Sequence, residues 1–194
     1  MMEEQSKSQL RKLAFKIRLS MTEDQVFEES EEIARRLFNS DIYKSAKRVF
    51  SYYSINNEVD TRDINRIILK DKKKLALPVC IDDYNLEFHQ IDDLTQVERG
   101  VLNIPIPKKK NKIVPQPYDI MLMPGILFSK TGYRIGYGKG YYDKYLSDKK
   151  IFKIGLTYDN LLVDDINYSE FDVKADYIIT QTRNFFPEEI DDWK

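Results

Sequence analysis

Apolar positions along the chain recur with two different periods, and the two alternate. Over residues 7–19, Leu10, Leu13, Ala14 and Ile17 fall on one helical face at i, i+3, i+4, i+7 spacing. Lys7, Arg11 and Arg18 are placed on other sides of that helix. After a break at Ser20, Thr22 and Gln25 form a capping box for a second helix. Its apolar stripe (Val26, Phe27, Ser30, Ile33, Ala34, Leu37 and Phe38) is broad enough to pack on a sheet. Val49 to Tyr53 is short, aromatic and β-rich, and predicts a strand. Thr61 to Lys70 predicts a helix through Ile64, Ile67 and Ile68, and Leu75 to Val79 a second strand. Leu86 to Ile91 alternates as a third strand would, and further strands are predicted at 118–123, 151–157 and 177–180.

This rhythm predicts one domain over residues 1–194, of α/β class. The arrangement is doubly wound, a three-layer α/β/α stack on a mainly parallel sheet with right-handed crossovers. Residues 103–117 interrupt the rhythm with Pro105, Pro107, Pro115 and Pro117 around Lys108, Lys109 and Lys110. They read as an exposed loop, not a boundary, because strands and helices resume at once. The end, FFPEEIDDWK, reads as a peripheral segment.

Composition narrows the chemistry. A chain of 194 residues buries roughly 70% of its unfolded surface and needs no disulfide or structural metal to hold a core. Thirty-one Lys+Arg against thirty-two Asp+Glu leave a net charge of -1, so no global basic field awaits a nucleic acid. With one cysteine, Cys80, and one histidine, His89, an intramolecular disulfide and a three-histidine zinc site are both excluded. Only Cys80 with His89 could form a Cys/His nucleophile pair. No apolar run approaches the ~20 residues that span a bilayer, and the first twenty residues lack an apolar signal centre. The compartment expected is the cytoplasm. Chemistry is left to Lys, Arg, Asp, Glu, Tyr, backbone amides or a bound metal.

Of seven glycines, four lie between residues 132 and 140. The stretch Gly132-Tyr-Arg134-Ile-Gly136-Tyr-Gly138-Lys139-Gly140-Tyr-Tyr-Asp143 follows a strand and leads into a helix predicted at 141–149. Glycines allow positive φ and close approach, successive amides can nest an anion, and Arg134 and Lys139 add full charges. Asp143, in the helix's first turn, is placed to hold a metal that bridges phosphate oxygens. Two readings stay open at this point, a nucleotide cradle and a glycine-rich turn packed by aromatics, because neither G-x-G-x-x-G nor a Walker A is present.

Met123-Pro124-Gly125-Ile-Leu-Phe128 followed by Gly132 to Asp143 resembles the signature of the 5-formyltetrahydrofolate cyclo-ligases, also called methenyltetrahydrofolate synthetases. Three further blocks resemble that family in the same order. They are Lys7-Ser-Gln-Leu-Arg11, Ser54-Ile-Asn-Asn-Glu58-Val-Asp-Thr61 and Asp172-Val-Lys-Ala-Asp176-Tyr-Ile-Ile-Thr180. The resemblance implies a fold like that of the ribose-isomerase and CoA-transferase group. It also implies Mg-ATP-dependent conversion of 5-formyltetrahydrofolate to 5,10-methenyltetrahydrofolate, with ADP and phosphate released. In such a reaction the formyl oxygen takes the γ-phosphoryl group and a neighbouring nitrogen closes the ring.

By that resemblance Arg134, Ile135, Gly136, Tyr137, Gly138, Lys139, Gly140, Tyr141 and Tyr142 cradle ATP. Lys7 and Arg11, four apart on one helix face, reach the nucleotide; without the resemblance they read as a solvated face. Lys7, Arg134 and Lys139 are then the catalytic cations, and Asp143 and Asp176 hold magnesium. Glu58 accepts hydrogen bonds from the pterin, with Tyr53, Tyr137 and Tyr141 lining the same pocket. The implied substrate can carry a polyglutamate tail, the enzyme is a monomer or weak homodimer, and neither nucleic acid nor membrane is a partner. Phe171 stands where many bacterial relatives have histidine, and Asn103-Ile104 where a Glu-Pro pair is common. A sensor or carrier that keeps the pocket without catalysis, and nucleic-acid binding by the Tyr/Lys/Gly loop, are the alternatives in other functional classes.

Overall fold

The computed structural model describes residues 6–100 and 104–187. Two capping boxes start its first helices. In α1 (Lys7–Ser20) the Ser6 hydroxyl accepts from the Gln9 amide while the Gln9 side chain accepts from the Ser6 amide; Thr22 and Gln25 do the same for α2 (Glu23–Asn39). A short α3 (Asp41–Ser45) leads to β1 (Arg48–Phe50), and Asp60 caps α4 (Thr61–Lys70). The chain continues through β2 (Lys74–Cys80), β3 (Leu86–Ile91), β4 (Val97–Arg99), β5 (Pro105–Pro107), β6 (Lys112–Ile113) and β7 (Ile120–Met123). It ends with β8 (Leu127–Ser129), β9 (Arg134–Ile135), α5 (Tyr141–Leu146), β10 (Phe152–Leu156), β11 (Leu162–Val163), β12 (Tyr177–Ile179) and β13 (Asn184–Phe185).

Among the described residues the main sheet has eight strands in the order β13-β12-β10-β7-β1-β2-β3-β6. Its centre, from β12 to β2, is parallel, whereas β13, β3 and β6 are added at the edges by antiparallel pairings. The sheet is thus mainly parallel, as the rhythm predicts, with one correction at β3. Cys80 pairs with Leu86 across a turn too short for any crossover, so β2 and β3 form a hairpin. The proline-rich stretch is corrected too. Its residues supply β5 against β4 and β6 against β3, short edge pairings where proline's missing N–H costs little. Asn103 and the last seven residues lie outside the described residues.

Period-two alternation splits the core into two clusters, one on each face of the sheet. Val49, Leu75, Leu77 and Leu122 meet Ile33, Leu37, Ile64 and Ile68 from α2 and α4. Phe50, Ala76, Met121 and Met123, the intervening residues, face Phe88, Ile178 and Leu146 of α5. Helices therefore cover both faces, which gives the three layers. Phe128 shows how tightly the second face is filled. A Cβ on Gly125 would lie 2.4 Å from its ring, and one on Gly155 2.5 Å from it. Both places must be glycine for the ring to sit there.

Helix α1 departs from the predicted face. Leu13 is exposed while Arg18, at 1% exposure, is among the most buried side chains. Lys7, Arg11, Ala14 and Arg18 follow one another at steps of four, three and four, which is a single helical stripe. That stripe faces the ends where the parallel strands finish, the usual place for a ligand site in such sheets.

Candidate functional site

Two loops leave the finishing ends of β1 and β7, and local hydrogen bonding shapes both. After β1, the Ser54 amide donates to the Thr61 hydroxyl at 3.0 Å, and that hydroxyl donates to the Tyr52 carbonyl at 2.6 Å. The serine and threonine of this segment thus pin its two ends together. Between them Asn56 and Asn57 take left-handed φ values of 50° and 56°, a conformation asparagine tolerates better than most residues. The Asn57 side-chain amide donates to the carbonyls of Arg18 and Met21, docking this loop on the end of α1. Glu58 is thereby turned inward and is 5% exposed.

Glu58 is the most perturbed carboxylate of the site. One oxygen, Oε2, accepts from the Ile55 amide at 3.0 Å. Oε1 lies 3.7 Å from the Arg18 guanidinium and has no hydrogen-bond partner among the described residues. Burial pushes its pKa up to about 7, although Arg18, the Ile55 amide and Tyr137 all favour the charged form. Tyr52 and Tyr142 stand near enough for the Glu58 charge to raise their pKa values further, burial being the larger cause in both. Tyr53 is half-buried against the core, with its hydroxyl pushed up by burial.

After β7 the chain makes the β8–β9 hairpin and enters the glycine-rich loop. Gly138 and Gly140 have φ of 98° and 68°, so the turn itself requires glycine there. A Cβ on Gly136 or Gly140 would meet nothing within 4 Å, which leaves open space over the loop. Cations from α1 converge on it. The Arg11 Nε donates to the Gly136 carbonyl at 2.8 Å, and Lys7 pairs with Asp172 at 2.5 Å. Burial works against the Asp172 charge, yet Lys7 and the Ser169 amide and hydroxyl outweigh it and hold the carboxyl below its ordinary range. Arg134 is buried, donating to the Val173 carbonyl at 3.0 Å and pairing with Asp143 at 3.1 Å. Asp143 also accepts from the Val173 amide. Lys139 is exposed and makes no hydrogen bond or ion pair with any described residue.

The structure therefore brings together Lys7, Arg11, Arg134, Ile135, Gly136, Tyr137, Gly138, Lys139, Gly140 and Asp143. Tyr142 is partly buried beneath them against the second core cluster. Tyr141 points to the hairpin turn, donating to the Asp82 carbonyl at 3.1 Å. Asp176 is not linked to Asp143 by a hydrogen bond or a shared partner. It sits before β12, where its Oδ2 accepts from the Lys153 amide and ammonium, both at 2.7 Å. There it borders a cleft of about 860 Å³ near the beginnings of β7 and β10, together with Tyr118 and Lys150. No cluster of three or more His, Cys, Asp or Glu suited to a metal occurs among the described residues. Cys80 and His89 do not pair. His89 lies opposite Leu77, three positions from Cys80 and so on the other face of the hairpin.

Sequence reasoning missed Arg18 and Asp172 as parts of the site. Arg18 donates from Nη1 to the Gly125 carbonyl at 3.1 Å and from Nη2 to the Tyr137 hydroxyl at 2.5 Å. Its spacing with Lys7 and Arg11 was the available signal.

Phosphates suit this arrangement. Among the described residues the loop offers open backbone, one unpaired cation and three fixed ones, and it lies beside a buried carboxylate with one oxygen left without a hydrogen bond. A magnesium ion carried on phosphate oxygens needs only one or two protein carboxylates, and Asp143 borders the loop. Both groups fit the residues present.

Comparison with known proteins agrees. The 5-formyltetrahydrofolate cyclo-ligase family matches over residues 3–181. The 5-formyltetrahydrofolate cyclo-ligase of Mycoplasma genitalium is 31% identical over 89% of this chain and 96% of its own. The solution structure of the 5,10-methenyltetrahydrofolate synthetase of Aquifex aeolicus superposes with a TM-score of 0.85 at 26% identity, covering 97% of this chain and 96% of that one. The synthetase of Mycoplasma pneumoniae, at 24% identity, a TM-score of 0.74 and coverage of 91% of this chain and 99% of that one, shares the fold.

Proposed function

The chain belongs to the 5-formyltetrahydrofolate cyclo-ligase family, and from that membership we propose how its own residues carry the reaction. The protein is an ATP-dependent ligase that converts 5-formyltetrahydrofolate to 5,10-methenyltetrahydrofolate. Bound ATP supplies the phosphoryl group that activates the formyl oxygen, and magnesium offsets part of its charge.

Lys139 is the observation that carries the reading. An unpaired, exposed ammonium beside two glycines in left-handed conformation is free to close on an anion, while Lys7, Arg11 and Arg134 are already fixed by partners. Fixed cations cost no reorganisation when charge develops, and a mobile one follows the charge as it moves. Lys7, Arg134 and Lys139 are the catalytic cations of this reading, with the loop amides and Arg11 holding the nucleotide. Asp143 holds the magnesium; Asp176 stays with Lys153 and takes no part.

On the folate side, Glu58 receives the amino and ring N–H groups of the pterin, because Oε1 is an acceptor with no hydrogen-bond partner among the described residues. Tyr137 and Tyr53 line the pterin pocket. Tyr141, tied to the hairpin turn, closes the far side. Ionised Glu58 offers two acceptors, so folate binding weakens as pH falls below about 7, the carboxyl's midpoint. The protein acts in the cytoplasm as a monomer or weak homodimer, on a folate that can carry a polyglutamate tail. Among the described residues no helix is long and apolar enough to cross a membrane.

The direct test follows the methenyl chromophore with purified protein, 5-formyltetrahydrofolate, ATP and magnesium. Product only when both ATP and magnesium are present supports the reading. Product without added magnesium in the presence of a chelator removes Asp143 from its role, and no product under any condition overturns the whole.

A further inference from the structure

Arg18 is charged, 1% exposed and larger than any other fully buried side chain described. Burying a guanidinium is expensive unless its donors are satisfied, and an aliphatic residue would fill the same space at less cost. Here satisfaction is incomplete, because Nε has no partner among the described residues. What the guanidinium does make is a set of contacts to three separate parts of the site. Nη1 reaches the Gly125 carbonyl at the turn after β7 and stands 3.7 Å from Glu58. Nη2 reaches the Tyr137 hydroxyl of the glycine-rich loop at 2.5 Å. The cation also lies over the rings of Phe15 and Tyr137, with centroids 5.5 Å and 5.6 Å away. Its own carbonyl accepts from Asn57, next to Glu58.

We propose that Arg18 is a positioning residue, which fixes the Glu58 carboxylate and Tyr137 against one frame and so sets the folate end of the site. It touches neither substrate nor nucleotide and acts through those two side chains. The inference rests on Glu58 contacting the pterin. A lysine could not replace it, since a single ammonium lacks the planar fork that serves Gly125, Tyr137 and Glu58 together. The charge has a second effect. Arg18 is the cation among the groups that face Glu58, the others being Tyr137 of the loop, Tyr52 beyond β1 and Tyr142 of α5. Removing it leaves, among the described residues, the Ile55 amide and neutral tyrosines around a buried carboxyl, whose midpoint then moves up.

The test compares Arg18→Met, Arg18→Lys, Glu58→Gln and the Met/Gln double variant in the full-length enzyme. Its readouts are the KM for each substrate, kcat across pH, and the carbon-13 titration of the Glu58 carboxyl. Glu58→Gln raises the folate KM about tenfold or more and flattens its pH dependence. Arg18→Met raises the folate KM by a similar factor, moves the Glu58 midpoint up by about one pH unit and changes the ATP KM by less than about threefold. Arg18→Lys restores the midpoint without restoring the folate KM. The double variant is no worse than the poorer single, because both act on one contact.

The proposal is overturned if Arg18→Met leaves the folate KM and the midpoint as they were. It is equally overturned if both KM values and kcat decline together with no displaced midpoint, since that marks a packing role alone. Should Arg18→Met not fold, Arg18→Lys decides: a raised folate KM with the midpoint kept supports the proposal, and an unchanged KM ends it. A folate KM unaffected by Glu58→Gln overturns the pterin contact itself, and Arg18's assignment to the folate side falls with it.

Discussion

Two arginine–carboxylate pairs, one partly and one fully buried, cap opposite ends of the same two central strands, and they are built differently. At the starting ends of β1 and β7, Arg48 grips Asp119. Nε reaches both carboxylate oxygens at 3.0 Å, Nη2 reaches one of them at 2.5 Å, and Nη2 also donates to Val114. The Gln116 amide completes Asp119 at 2.6 Å. At the finishing ends, Arg18 and Glu58 stand 3.7 Å apart, and each keeps an atom with no partner among the described residues. A pair that is fully hydrogen-bonded has nothing left to offer a ligand. One that is not stores capacity for a molecule arriving later, and the fold bears the cost of waiting.

The sharpest way to break this contrast is Asp119→Ala. It strands a partly buried guanidinium, and unfolding in urea should show a loss of about 1–3 kcal/mol, with folate and ATP KM values unchanged in whatever remains folded. A comparable loss of binding would mean that the two ends are not separate. Lys139→Ala should do the reverse, lowering kcat/KM by about a hundredfold while stability moves by less than about 0.5 kcal/mol. An equal fall in both would give Lys139 a structural role. Asp143→Asn should raise the magnesium concentration for half-maximal rate by roughly tenfold. An unchanged magnesium titration moves the metal elsewhere.

Glu58 sharpens the comparison through pH. Its folded pKa is raised from 4.5 to about 7, so the folded state holds a proton that the unfolded chain has released between those values. Its contribution to stability is fully present below pH 4.5 and is lost as pH rises through about 7. Relative to Glu58→Gln, which has no such proton, the wild type should lose on the order of 3 kcal/mol between pH 4.5 and 8. A gap that stays constant with pH would show that the carboxyl titrates normally. The smallest effect belongs to Phe171→His. Phe171 is 76% exposed, and placing an imidazole beside Asp172 should alter stability by less than about 0.5 kcal/mol. A larger change in either stability or rate would show that the position matters to this enzyme after all.

Much of this was legible from the chain because the responsible physics is local. The Thr22–Gln25 capping box sits where the residues put it, and α4 runs from Thr61 to Lys70 as its isoleucine spacing predicts. The glycine-rich loop shows its cations plainly. What stayed hidden depends on contacts across the sequence. Arg18 reads as surface until Gly125 and Tyr137, more than a hundred residues away, come to meet it. Asp176 reads as a ligand until Lys153 claims it. The direction of β3 was available, since five residues cannot make a crossover, but a strand–helix rhythm masks a hairpin inserted within it.

Phe128 leaves a mark on what this chain can become. Its ring fills the room that side chains at Gly125 and Gly155 would need, so three residues from three different segments share a single volume. Gly155→Ala alone is a dead end, and even after Phe128→Leu the new methyl would lie 2.7 Å from the end of the Ile178 side chain, which must also give way. Mutational routes through this part of the molecule must therefore be taken in order. Because the Gly125 carbonyl is the anchor for Arg18, every such route also carries a risk of shifting the side of the pocket proposed for the pterin.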